Sequence, residues 1–212
     1  MLFLQRLAQI NRKSLKKTFE PRLEEAKSGK RIVFFLDAAY FVPSPYIGFL
    51  WCFTRMFIKS PSGRNCFNLL GALNAIIHEL IVITDDKYIN ACSFCELLWN
   101  ISCKYANINI PITLVLDNAR YQKCKLVFYF AKLLDIELVY LSTYSLSLNL
   151  IERLWKFVKK KCLFSKYYPD FRSLKGSISD CISKTHTEHK KELSFLLTLN
   201  FKTFKKDQML KL

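Results

Sequence analysis

The sequence predicts a mixed α/β sheet with helices on both faces, and three observations carry that reading. Two apolar runs, Ile32-Val-Phe-Phe-Leu36 and Ile112-Thr-Leu-Val-Leu116, each end in an acid, Asp37 and Asp117. Such unbroken runs are the pattern of strands buried on both faces. Between them lie two further apolar stretches, 66–75 and 80–84, joined by a short turn and suited to antiparallel pairing. After residue 88, stretches with helical spacing alternate with short β-branched runs, which is the order of a sheet covered on both sides.

Size and charge bound the function. A chain of 212 residues with 51% hydrophobic content can fill a real core. Its net charge of +16 implies a polyanionic partner or an anionic membrane surface. The charge is uneven: residues 1–30 carry +5, residues 31–149 only +2, and residues 150–212 carry +9. The longest uncharged run, Ala38 to Thr54, has 17 residues but contains Pro43 and Pro45, so no membrane span is expected. The first residues lack the long apolar region and cleavage site of a secretory signal, and a cytoplasmic location is expected. Eight cysteines scattered through apolar stretches read as reduced, buried thiols.

Taken in order, residues 1–30 read as a basic helical segment. Leu2, Leu4, Leu7 and Ile10 form an apolar stripe, Pro21 opens a short helix and Gly29 closes it. The first strand spans Arg31 to Asp37, and residues 38–64 form an irregular insert in which Trp51 and Phe53 are either core or base-stacking residues. Asp85 and Asp86 close the third strand as turn acids, with a spare metal ligand as the alternative. One helix is expected over Tyr88 to Ala106 and another over Arg120 to Leu134, before a strand at Ile136 to Leu141. A polar loop, Ser142 to Leu148, leads to a helix opened by Asn149 whose buried stripe is Ile151, Leu154, Trp155, Val158 and Cys162. A further helix lies near Phe171 to His186, followed by a basic segment ending in Phe201-Lys-Thr-Phe-Lys-Lys206. The expected division is a basic N-terminal segment 1–30, a mixed α/β domain 31–165, and a basic helical segment 166–212 packed on it.

If the two acid-tipped strands are parallel neighbours, Asp37 and Asp117 meet at one rim of the sheet, where open α/β sheets place their chemistry. Glu152, in the first turn of a later helix, adds a third carboxylate. Carboxylates that repel one another need a cation. Magnesium takes oxygen ligands and keeps waters, and a pair of ions can activate one oxygen and stabilise another in a displacement at phosphorus. Each acid also has a plain structural reading. Asp is common at strand ends and turns, and Asn149-x-x-Glu152 matches a capping box, with Lys156 one turn on.

Four stretches carry a family resemblance: Phe35-Leu-Asp37-Ala-Ala-Tyr-Phe41, Leu70-Gly-Ala-Leu-Asn74, Leu114-Val-Leu-Asp-Asn-Ala-Arg-Tyr-Gln122 and Tyr144-Ser-Leu-Ser-Leu-Asn-Leu-Ile-Glu-Arg-Leu-Trp-Lys156. In this order, with 34 residues between Asp117 and Glu152, the chain resembles the DDE transposases of the mariner superfamily, in particular their bacterial insertion-sequence branch. The resemblance implies an RNase H-like fold and a triad of Asp37, Asp117 and Glu152 that binds two Mg²⁺ or Mn²⁺ ions. It implies nicking at transposon ends followed by attack of the freed 3′-OH on target DNA, by a homo-oligomer assembled on double-stranded DNA. Asn118 is expected either to orient a ligand or the scissile phosphate, or to cap the next helix. Arg153, Lys156 and Lys160 are expected phosphate contacts, with a solvated helix face as the alternative.

The chain departs from the family pattern in two ways. Ser142, Leu146 and Leu150 stand where the family has prolines, which loosens the backbone ahead of Glu152. No helix-turn-helix domain fits in residues 1–30, so a separately encoded half or a remnant of a longer element is expected. The same acids also suit an RNase H-like nuclease or resolvase, and the charge alone suits an inactive DNA-binding remnant. Cys92-x-x-Cys95 and His186-x-x-His189, near Cys181, offer a weaker zinc reading, since four converging ligands at paired spacing are needed. No Gly-x-Ser-x-Gly elbow supports a serine hydrolase.

Overall fold

The computed structural model describes residues 19–42, 53–54, 65–141 and 149–199. The stripe at Leu2 to Ile10, Trp51, the loop Ser142 to Leu148 and the segment Phe201 to Lys206 lie outside these residues. A first helix, α1, includes residues 19–27 and closes at Gly29, whose φ of 72° is open to glycine without strain. The strands are β1 (Ile32–Phe41), β2 (Phe67–Asn74), β3 (Leu80–Asp85), β4 (Ile112–Leu116) and β5 (Ile136–Tyr140). The further helices are α2 (Ala91–Lys104), α3 (Lys125–Leu133), α4 (Ile151–Leu163), α5 (Phe171–Ser183) and α6 (Lys190–Leu196).

The strands form one sheet in the order β3-β2-β1-β4-β5. The β1–β2 and β2–β3 pairs are antiparallel, and β4 runs parallel to both β1 and β5. Strand alternation divides the core in two. Odd-numbered β1 residues Val33, Phe35, Ala39 and Phe41 pack with α1, α4, α5 and α6, while Phe34 and Leu36 pack with α2 and α3 on the opposite face. All eight residues of β2 are buried, which explains why its sequence shows no polar alternation.

Several boundaries differ from those expected. Strand β1 does not stop at Asp37 but continues four residues to Phe41, because β2 is long enough to pair with it throughout, Asp37 facing Gly71 and Phe41 facing Phe67. The helix expected over Arg120 to Leu134 is broken. A 3₁₀ turn at Arg120–Lys123 is followed by extended Cys124, and only then does α3 begin. Buried Gln122 lies in that turn, and its carbonyl accepts a 2.7 Å hydrogen bond from the Tyr140 hydroxyl, which ties the turn to β5. The expected Phe171 to His186 helix likewise ends at Ser183 and continues as a 3₁₀ turn, Lys184–His186. Helix α2 starts at Ala91 because Asn90 and Ser93 form a reciprocal capping box.

Helix α1 shares the core through Phe19, Leu23 and Ala26. Its polar side is held by Arg22, which makes a two-pronged ion pair with Glu137 on β5. Arg31 and the Thr113 hydroxyl donate to the same carboxylate, at 3.1 and 2.8 Å. Hydrogen bonding to Arg22 is the largest of several effects that hold the Glu137 carboxyl at about 2. A carboxylate depressed in the folded state stabilises it above the unfolded value of about 4.3, and that contribution vanishes as pH falls through about 2. Glu137→Gln is therefore expected to lower the thermal midpoint at neutral pH. The deficit relative to the parent should shrink as pH falls from about 4.5 towards about 2, as followed by circular dichroism; a deficit independent of pH would contradict the assignment.

Candidate active site

The β1–β4 register places the two aspartates side by side. Phe35 pairs with Val115, so Asp37 and Asp117 each stand two residues further along their parallel strands. Asp117 is the first residue after β4, and Asp37 is carried on the sheet face that α4 covers. Helix α4 brings Glu152 to that face in its first turn.

Two contacts set the position of α4. Gly71, opposite Asp37 on β2, has no side chain, and a Cβ there would stand 2.6 Å from Trp155 Cζ2 and 3.0 Å from Ile151 Cδ1. The helix therefore rests on bare backbone beside the first acid. At the other contact, the fully buried Asn149 donates its amide N–H to the Leu36 carbonyl at 3.0 Å, one residue before Asp37. The capping box expected from Asn149 and Glu152 does not form. The N-cap is Leu150, without a side-chain hydrogen bond; Asn149 instead donates its Nδ2–H to β1, and its Oδ1 is buried without a partner. Leu150, at one of the former proline positions, is fully buried in the core.

The three carboxyls act on one another through their charges. Burial, then the charge of Asp117 and more weakly that of Glu152, raise the Asp37 carboxyl to about 7, while Lys159 acts in the opposite sense. Glu152 is also raised, by burial and then by Asp117, against the pull of Lys156, whose ammonium lies 3.8 Å away. Burial pushes the Tyr121 hydroxyl up, and the charges of Asp117 and Asp37 add to the shift.

The donor set fits a hard divalent cation, with three carboxylates and no thiolate or imidazole. It is not a closed cage: among the described residues no three His, Cys, Asp or Glu side chains are grouped closely enough to hold an ion. Magnesium is commonly bound through one or two carboxylates, with water and substrate oxygens supplying the rest.

The other residues singled out by sequence have different fates. The Asn118 amide donates to the Leu141 carbonyl, joining the ends of β4 and β5, and it caps no helix, since the N-cap of the following turn is Ala119. Arg153 Nη1 donates to the carbonyls of Leu196 and Thr198, at 3.2 and 2.7 Å. Lys156 and Lys160 are exposed. Asp85 accepts from the Lys87 N–H and Asp86 pairs with Lys175, both as turn acids. His186 accepts from the Leu80 N–H and His189 packs edge-on against Phe157, so each has a structural partner. Cys92 and Cys95 are free thiols. Sequence reasoning passed over Lys159, which sits above the Phe41 ring at 5.7 Å and acts on Asp37. Its position in a run of three lysines gives no sign of this.

A five-stranded sheet in this order, with helices on both faces and acids at the parallel centre, is the RNase H-like arrangement of nucleases and polynucleotidyl transferases. The family model described as DDE superfamily endonuclease matches residues 54–175, which include Asp117 and Glu152. The chain belongs to that family. Among solved structures it is similar to the catalytic domain of Mos1 mariner transposase, with a TM-score of 0.58 at 12% identity over 92% of this chain and 94% of that one. It is similar also to the Mos1 strand transfer complex, with a TM-score of 0.54 at 15% identity over 90% of this chain. A third likeness is to the mariner Mos1 paired end complex with Mg, with a TM-score of 0.58 at 15% identity over 93% of this chain. The chain spans 61% and 64% of the Mos1 chains in those two complexes. A comparison with curated proteins returns no match. No described helix is long and apolar enough to cross a membrane.

Two outcomes follow from this geometry. Gly71→Ala forces Trp155 and α4 off the sheet and should cost about 1–3 kcal/mol, as overpacking does, with a larger proportional loss of activity than of folded protein; unfolding titrations and turnover measured together check this. In chelator, the raised Asp37 carboxyl binds more protons folded than unfolded between about 4 and about 7, so it lowers stability as pH rises across that window. Asp37→Asn should leave the thermal midpoint unchanged below that window, raise it progressively through it, and hold the gain above; no gain at pH 8 would contradict a crowded, buried Asp37.

Proposed function

We propose that this chain is the catalytic part of a DNA transposase of the mariner type, cleaving DNA at the ends of an insertion sequence and joining the freed 3′-OH to target DNA. The observation that carries it is the fold shared with Mos1 in a chain of the DDE endonuclease family, with Asp37 and Asp117 adjacent in the parallel register and Glu152 in the first turn of the helix over that sheet face. Asp37, Asp117 and Glu152 hold two Mg²⁺ or Mn²⁺ ions, in keeping with the Mos1 complex solved with Mg. Bound there, the ions supply charge neutralisation and an activated attacking oxygen at the scissile phosphate.

The residues of the chain do the rest. Asp37 and Asp117 are fixed by the parallel register, so their oxygens are positioned before substrate arrives. Glu152 is delivered by a helix pinned at Asn149 and Gly71. Lys156, 3.8 Å from Glu152, offsets part of its charge. Asn118 holds the β4 end that carries Asp117, and the basic residues of α4, Arg153, Lys156 and Lys160, attract the DNA backbone. Double-stranded transposon ends and target DNA are the substrates, and the working form is a homo-oligomer on DNA at the nucleoid. A separately encoded helix-turn-helix half supplies recognition of the ends.

The test is cleavage and strand transfer on DNA carrying the element's ends, with the recognition half added where one is encoded. Cleavage should require Mg²⁺ or Mn²⁺. Asp117→Asn should reduce it at least about a hundredfold, as expected for loss of several kcal/mol of transition-state stabilisation, with an unchanged circular dichroism spectrum. Equal cutting by the variant would remove Asp117 from the mechanism, and cutting without joined products would favour a nuclease.

A further inference from the structure

A cleft of about 440 Å³ lies between α4 and α6, lined by Arg153, Lys156, Phe157 and Lys160 on one side and by Phe195 and Leu196 on the other. That volume falls within the ~300–1,000 Å³ typical of ligand clefts. Its construction is specific. The floor includes Phe157, almost fully buried, held between His189, edge-on at 5.2 Å, and Lys161, 5.4 Å from the ring centroid. The far wall is fixed because Arg153 grips the Leu196 and Thr198 carbonyls, which holds the end of α6 against α4. Arg153 thus builds the cleft with its Nη1 group. Along the near wall, Lys156 and Lys160 stand one turn, ~6 Å, apart with exposed ammonium groups. Phe195 is 75% exposed on the rim, an orientation that buries little of its own ring. The one acid lining the cleft, Glu192, is paired with Lys161 at 2.9 Å, so the surface remains net positive.

A basic wall facing an exposed aromatic ring is the arrangement that tracks a phosphate backbone while stacking a base. A base can stack on Phe195 only if it is out of the duplex, since paired bases present their edges. The cleft lies beside the acids, since Lys156 on its wall is also 3.8 Å from Glu152, and Lys160 stands one turn further along α4. We propose that this cleft binds a single-stranded DNA segment next to the scissile phosphate, with Lys156 and Lys160 on its phosphates and Phe195 stacked on an unpaired base. This deepens the transposase reading and rests on it for the origin of the strand. Such a seat holds the flank of the cut site unpaired, which gives the acids access to the phosphodiester.

The experiment uses the full chain carrying Asp117→Asn, in chelator, so that binding is measured without cleavage. Fluorescence anisotropy compares a labelled single-stranded 12-mer with a fully paired hairpin of the same sequence, and a second set of strands carries 2-aminopurine, whose emission is quenched by stacking. Phe195→Ala, at an exposed position, should weaken single-strand binding about tenfold, leave hairpin binding within about twofold and abolish the quench. Phe195→Trp should restore both. Lys160→Gln should lower the slope of log affinity against log salt by about 1 on the single strand. The proposal is overturned if Phe195→Ala binds the single strand as the parent does, or if polyglutamate displaces the DNA as well as unlabelled single strand does, since the cleft would then read charge alone. If the parent chain cuts no DNA with either metal but the Phe195 effects persist, the transposase reading fails while the single-strand seat stands.

Discussion

Helix α4 can approach the sheet only as closely as the backbone at Gly71 allows, and the chemistry of this protein depends on that distance. The Trp155 ring occupies the space a Cβ would fill, directly across from Asp37. With Asn149 bound to the Leu36 carbonyl, the helix is held at two points, one on each neighbouring strand. Both restraints act within a residue or two of the first acid. The arrangement converts ordinary helix-on-sheet packing into the placement of a carboxylate, which otherwise would be set by a loop.

That placement works against the stability of the protein by itself. Burial, and then the Asp117 charge, raise Asp37 to about 7, so near neutral pH it keeps a proton that it would lose in water. Lys156 and Lys159 offset part of this from the outer side of α4. The stabilisation comes from elsewhere: a β2 strand buried throughout, aliphatic and aromatic layers on both sheet faces, and the Arg22–Glu137 pair that locks α1 to the sheet edge. Strain at the centre and redundancy around it are the usual division in a site that stores an electrostatic debt until its ligand binds.

The helical C-terminal portion joins the same core rather than standing apart, through Leu174, Ile178, Cys181, Leu193 and Leu197. Its consequence is a second surface. Because Arg153 is committed to the end of α6, the basic face of α4 is not an isolated row of charges but one wall of a cleft whose opposite wall is aromatic. Lys156 belongs to both regions, and it couples the charge state of Glu152 to whatever occupies the cleft.

What the sequence by itself determined was the sheet and its helices, because strand and helix periodicity are local, and the two apolar runs that carry Asp37 and Asp117 side by side were unbroken. The stripe Ile151, Leu154, Trp155, Val158 and Cys162 is buried as its spacing requires. What only the tertiary structure decided depended on contacts between residues far apart in the chain. Asn149 looked like a cap because its local pattern satisfies one, yet a strand more than a hundred residues earlier offered a buried carbonyl and took the amide. Strand β1 outran Asp37 because β2 was there to pair with it, and the helix after Asp117 broke because Tyr140 bound the Gln122 carbonyl. Neither Gly71 as a seat for Trp155 nor Lys159 as a counter-charge to Asp37 has a local signature, since each acquires its role from the neighbour that folding brings.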